Sequence, residues 1–290
     1  MQLKLAKGKT YYEKMTMDQH MTQTVMNMQQ VIDQSMGTGR KLDVLDVDSQ
    51  GNMRIRNTFT WAMSKRTGPM GNLDYDSSKQ TTPPAGAEPF AALLGQSYVV
   101  KVTPKGEVLD VNGVEELQAA VRKKLPPGAE TDPAMGALSS YMDKKGIKEM
   151  TESTLGFYPD KPVEQGESWS KKRIVSPAFE LTLDCKWTLQ KREAGVATVA
   201  TVTSIRSNPD KPMDAGGMKM RFDLSGTQDG TVQVAEATGL VTQGQARQQL
   251  KGEIKVGDSA QGPPMMVIPV VFDTTIKLEM GDRPLEAATK

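Results

Sequence analysis

The sequence has one histidine and one cysteine in 290 residues. A single cysteine, Cys185, excludes an intramolecular disulfide framework and a cysteine-based zinc site. A single histidine, His20, excludes multi-histidine metal centres and the usual histidine-based triads. Aromatic residues are scarce, with 6 phenylalanines, 6 tyrosines and 3 tryptophans. No apolar run approaches the ~18 residues that a membrane-spanning helix needs. Charge of one sign is also missing: 36 lysines and arginines face 35 acids, for a net charge of +1. Nucleic acid as a main partner requires a concentrated positive field, which this balance does not supply. The basic runs Arg122-Lys123-Lys124 and Lys171-Lys172-Arg173 are short and read as solvated faces.

Methionine is what the chain has in excess, with 19 copies. Six of them (Met15, Met17, Met21, Met26, Met28 and Met36) surround His20. Methionine is a flexible hydrophobe that adapts to irregular guests, and its thioether is a soft ligand for Cu(I). The segment therefore supports an adaptable apolar interior or a soft-metal site. If it is helical, Met17, His20 and Met21 share one face. If it is a strand, Met15, Met17 and Met21 point one way and His20 the other. The β-favouring residues Thr10, Tyr11, Tyr12, Thr22, Thr24 and Val25 tip the reading toward strands.

Period-two alternation is the strongest pattern elsewhere, and it places alternate side chains on one face of a strand. Met53, Ile55, Phe59, Trp61 and Met63 form one such set. Phe179, Leu181, Leu183, Cys185, Trp187 and Leu189 form another. Met218, Met220, Phe222 and Leu224 repeat it, as do the even positions from Met266 to Met280. Glycine-bearing turns are expected at Asp48–Asn52, Pro104–Gly106, Glu193–Gly195, Gln228–Gly230 and Ala237–Gly239. Helical spacing is confined to the middle. Val114, Leu117, Val121 and Leu125 predict a helix ending at Pro126-Pro127. Asp132 and Pro133 open a second, with Met135, Leu138, Tyr141 and Met142 inward. Residues 85–94 offer a third.

These elements predict an α+β fold: a strongly curved antiparallel sheet, a half-barrel or open barrel, of about ten strands. A central helical insert at about 84–156 would cover its concave face. Residues 1–280 are read as a single β-rich domain, and 281–290 as a tail. Glu286–Lys290 resembles a unit of a helical linker and is set aside. Met1–Leu5 enters a strand-like pattern at once, as expected of a mature domain whose signal or lipoprotein leader has been removed.

The catalytic candidates are weak. Asp43, Asp46 and Asp48, and Asp74 with Asp76, lack the spacing of a calcium loop and read as turn and solvent-face residues. Gly216-Gly217 and Gly226…Gly230 precede no Walker lysine. Gly166-Glu167-Ser168-Trp169-Ser170 lacks the closing glycine of a nucleophile elbow. Cys185, alternating with Leu183 and Trp187, reads as a core residue.

Two segments carry a resemblance: Gly95–Val108, with its Pro104-Lys105-Gly106 turn, and Gly156-Phe157-Tyr158-Pro159 followed by Val163–Trp169. They resemble an uncharacterised family of exported bacterial proteins, many of them lipoproteins. The resemblance implies a periplasmic or extracellular β-rich domain and brings no catalytic residues. The curved sheet is also similar, in architecture alone, to the lipoprotein-carrier half-barrels.

The expected function is therefore a non-enzymatic binding protein that holds an apolar small molecule or lipid, with no cofactor assigned. The expected lining is Met17, Phe59, Trp61, Met63, Leu183, Trp187, Met220, Phe222 and Phe272. Cu(I) binding through Met15, Met17, His20 and Met21 is one alternative, and a scaffold with no small ligand is another. Attachment to a membrane would come through the removed leader.

Overall fold

The computed structural model describes residues 1–69, 71–125, 142–176, 179–215, 218–257 and 264–285. In chain order the elements are β1 (Thr10–Val25), β2 (Met28–Val47), β3 (Met53–Thr67), β4 (Leu73–Asp76), α1 (Glu88–Ala92), β5 (Ser97–Val102), β6 (Val108–Asn112), α2 (Val114–Lys124), α3 (Lys144–Leu155), β7 (Ser168–Val175), β8 (Leu181–Glu193), β9 (Val196–Ser207), β10 (Met213–Ala215), β11 (Met218–Ala235), β12 (Val241–Val256) and β13 (Met266–Gly281). The fold is mostly β. Thirteen strands form one curved, unclosed antiparallel sheet in the order β6-β5-β3-β2-β1-β13-β12-β11-β9-β8-β7, with β4 on β3 and β10 on β11.

The strand count exceeds the expected ten. The added β4 and β10 have only four and three residues, too few to show an alternation. The segment expected as a helical insert also holds two strands, β5 and β6. The expected helix from Asp132 lies outside the described residues except for Met142, which is buried. The helix α3 was not anticipated. Asp143 caps it by accepting from the Gly146 N–H, and Ile147, Thr151 and Leu155 are buried at the four-residue spacing of one helix face.

The methionine segment is a hairpin of two long strands. Its turn residues, Met26 and Asn27, both have positive φ (51° and 62°), as a two-residue hairpin of this twist demands. Gln228–Gly230, expected as a turn, instead lies inside β11. The glycines there serve curvature. A Cβ on Gly226 would strike the Gln249 carbonyl, and one on Gly252 the Asp223 carbonyl. Side-chain-free positions thus let β11 and β12 approach closely and bend.

One end of the sheet is packed shut. Leu3 and Leu5 are buried, although their segment joins no strand. The Leu3 N–H donates to Pro104 and the Lys4 N–H to Thr238, which ties the β5–β6 turn to the β11–β12 turn. Tyr158 fills the same end and donates its hydroxyl to the Gly239 carbonyl at 2.6 Å. Burial raises the pKa of that hydroxyl, so it stays protonated and able to donate.

The two sheet edges, β6 and β7, do not pair with each other, but α3 holds both. The Glu152 carboxylate accepts from the Val108 N–H of β6 at 2.9 Å. The Glu152 carbonyl accepts from Arg173 of β7 at 2.7 Å, and Arg173 also donates to the Gly156 carbonyl.

A candidate apolar binding face

Register makes the site legible row by row, because directly paired residues in an antiparallel sheet share a face. Across the middle of one face runs Ser64–Met36–Met17–Ile276–Ala246–Gly230–Thr201–Trp187. The next row toward the closed end is Ala62–Thr38–Met15–Leu278–Gly244–Val232–Val199–Leu189. Two residues along each strand in the other direction lies a polar row: Arg66–Gln34–Gln19–Thr274–Gln248–Gln228–Thr203–Cys185. Beyond it comes Ile32–Met21–Phe272–Leu250–Gly226–Ile205–Leu183.

Two filled cores bracket this band. At the closed end, helix residues Leu117, Val121, Ile147 and Leu155 pack with Met53, Val100, Phe59, Trp187 and Leu189. At the far end Phe222, Leu224 and Val270 are buried, with Met220, Ile254, Ile268, Phe272 and Phe179 packed on them, and Phe179 stacks on Phe222 at 4.0 Å between centroids. Between them Met15, Met17, Met21, Met36, Ala246 and Ile276 are half-buried, with Leu278 and Phe272 packed on the cores at either side. The opposite face of the same strands carries Lys14, Asp18 and His20 of β1 and Arg247, Lys251 and Glu253 of β12.

Seven of the nine expected lining residues stand on the apolar face: Met17, Phe59, Leu183, Trp187, Met220, Phe222 and Phe272. Trp61 and Met63 do not. Gly39 pairs with Trp61 while the next residue, Arg40, pairs with Phe59, so Thr60 is an extra residue in β3. This bulge reverses the alternation. Phe59, Ala62 and Ser64 are buried, whereas Trp61 and Met63 lie on the polar face. There the Trp61 ring covers Gly37 and Gly39 and donates to Asp76 Oδ1 at 2.9 Å. Burial alone would raise the Asp76 carboxyl, but hydrogen bonds from Ser78 and Trp61 hold its pKa below the ordinary value.

Among the metal candidates, Met15, Met17 and Met21 share the apolar face, and Met17 sits directly opposite Met36. His20 stands on the other face, where its Nδ1 lies 2.7 Å from Asp33 Oδ1. Among the described residues no group of three histidine, cysteine or acidic side chains is placed to hold a metal. The aspartate cluster is spent on local pairs. Asp46 meets Lys7 at 2.9 Å and Asp48 meets Lys101 at 2.9 Å, while Asp43 accepts from Thr10. Asp48 also caps its own turn by accepting from the Gln50 and Asn52 N–H groups. Gly216-Gly217 lies outside the described residues, as does the Glu286–Lys290 tail.

One charged group at the closed end was missed. Glu13 and Arg40 are buried as an ion pair, and Arg40 donates to the Tyr98 hydroxyl at 2.6 Å. Burial opposes the Arg40 charge, but Glu13 and Tyr98 raise its pKa further. The row-by-row position of Glu13, on the face of Tyr11 and Met15, was the available signal. On the polar face, a groove of about 770 Å³ lies between Thr22, Thr24, Gln29, Asp223, Lys251, Glu253 and Val271. No helix among the described residues is long and apolar enough to cross a membrane.

A curved, unclosed antiparallel sheet that presents one half-buried apolar face defines a β-rich protein. The chain belongs to the family of unknown function DUF6263, whose profile matches residues 50–241. No curated protein matches it. Among solved structures it is similar to lipovitellin, described for its lipid–protein interactions, with TM-score 0.51 and 10% identity. That likeness covers 98% of this chain and 26% of the other, so the chain spans about a quarter of lipovitellin. An outer membrane channel from Pseudomonas putida F1 matches with TM-score 0.24 and 8% identity, over 94% of this chain and 97% of that one.

Proposed function

We propose that this protein is a non-enzymatic, extracytoplasmic binding protein that holds an apolar small molecule or lipid against its methionine-lined sheet face. The observation that carries the reading is the half-buried band of Met15, Met17, Met21, Met36 and Ile276 between two filled cores. Apolar area left partly in water inside a curved sheet is a standing gain for any apolar guest, at about 25 cal/mol per Å² removed from water. Methionine suits such a surface, since three rotatable bonds let it close on guests of different shape. The lipovitellin likeness supports the reading at the level of fold. The turn and strand segments noted in the sequence support export.

Native mass spectrometry of freshly purified protein, with elemental analysis of the same sample, tests this. Extra mass that is lost on denaturation and carries no metal supports the reading. Stoichiometric copper replaces it with a thioether site on Met15, Met17 and Met36. A clean mass that stays unchanged after incubation with lipid extracts refutes ligand holding and leaves a scaffold.

A further inference from the structure

The polar row across the apolar face ends in an arginine, Arg66, whose Nε has no partner among the described residues. The Arg66 Nε is buried and has no hydrogen-bond partner, and no ion pair or side-chain hydrogen bond engages its guanidinium among the described residues. Its strand partner on β2 is Gln34, whose amide is likewise without a side-chain partner among the described residues. Farther along the row the amides satisfy neighbours: Gln19 donates to Thr274 at 3.2 Å, and Gln248 to Gln228 at 3.3 Å. Within this row, Arg66 Nε is thus the buried donor left without a partner among the described residues. A buried donor left unpaired is costly and rare in folded proteins.

We propose, resting on the reading above, that the ligand is a long-chain fatty acid whose carboxylate is held by Arg66 and Gln34. Its acyl chain lies across Met36, Met17 and Ile276. The chemistry matches at each point. A guanidinium fork grips a carboxylate through two parallel hydrogen bonds, and the Gln34 amide supplies one more donor. One positive charge suits a monoanion. From β3 the methionine row crosses β2, β1 and β13 to Ala246 on β12. At ~4.8 Å per strand this is roughly 19 Å, the reach of a long acyl chain.

The test uses the full chain, stripped of lipid and titrated with oleate, methyl oleate and oleoyl lysophosphatidate below their micellar concentrations. Oleate should bind about tenfold more tightly than its methyl ester, the worth of one charge-assisted contact. Arg66→Gln should erase that ratio by weakening oleate alone, and Arg66→Lys should keep part of it. Equal affinity for oleate and its ester in the unaltered protein overturns the headgroup assignment while leaving the apolar face as a binding site. So does a ratio that survives Arg66→Gln. Tighter binding of lysophosphatidate than of oleate overturns the choice of a carboxylate. Binding of none of the three overturns both this proposal and the function on which it rests. Should Arg66→Gln fail to fold, Gln34→Leu decides: the oleate-to-ester ratio should fall, and an unchanged ratio counts against the site.

Discussion

Arg173 and Glu152 join the last-placed strand of the sheet to the helix that also holds the first-placed one. Arg173 donates to the Glu152 carbonyl at 2.7 Å, while the Glu152 carboxylate takes the Val108 N–H at 2.9 Å. The Arg173 guanidinium also lies over the Trp187 ring, 5.5 Å from its centroid. Arg173→Met should therefore cost about 2–4 kcal/mol, because charged donors to main-chain carbonyls are lost and the carbonyls go unpaired. Urea unfolding checks the magnitude. Hydrogen exchange should show faster exchange in both β6 and β7; faster exchange in β7 alone would mean that α3 does not couple the edges.

Trp61 reports on which face holds a guest. The residue covers Gly37 on the polar face, under the Lys14 ammonium at 5.0 Å from its ring. A brominated fatty acid should quench the emission of a variant that keeps only Trp187 far more than that of a variant that keeps only Trp61. Equal quenching would place the guest elsewhere. Gly37→Ala should cost about 1–3 kcal/mol, since the new methyl group must displace the indole, and thermal unfolding measures it.

Methionine oxidation separates three environments. Met26 and Met265 are 77% and 81% exposed, while Met53 is 1% exposed. With dilute peroxide and peptide mapping, Met26 and Met265 should oxidise first and Met53 last. Met15, Met17, Met21 and Met36 should fall between, and bound lipid should slow those four while leaving Met26 and Met265 unchanged. Protection that spreads equally to Met26 and Met265 would count against the apolar face as the site.

The acid limb of stability should depend on Asp76. Its pKa in the folded chain is lowered, so its contribution is complete above the ordinary aspartate value near 4 and is lost as pH falls through the folded value. Unfolding free energy measured from pH 6 down to pH 2 should drop below about pH 4, and Asp76→Asn should flatten that drop. The variant should be less stable than the unaltered protein at pH 6 and closer to it at pH 2. An equal gap at both pH values would assign the loss to packing.

The alternation of β8 and β13 was legible because each strand keeps one parity through its apolar positions, as Leu183, Cys185 and Trp187 do. The methionine segment was legible as strand only through its β-favouring residues, and its turn at Met26 and Asn27 was not read. What escaped was a change of parity inside β3. The extra residue Thr60 carries no compositional mark of its own, and its effect is visible only when β2 is laid beside it. That one residue turns Trp61 and Met63 away from the apolar face and turns Arg66 toward it, so the same event hid which β3 side chains that face carries. The α3 helix was not read, although Asp143 and the spacing of Ile147, Thr151 and Leu155 carry its signal. The Glu152 contacts were not legible, because Val108 and Arg173 are distant in sequence and meet it only after the sheet has curved.

An open sheet normally carries a hazard that a closed barrel does not: rows of unpaired main-chain groups along its margins invite strands from other molecules. Here a single helix turn occupies that vulnerable line, with the Val108 amide already engaged by Glu152. The fastening that holds the two margins together thus also serves as a guard. Weakening it would leave a curved sheet ready to template cross-strand assembly.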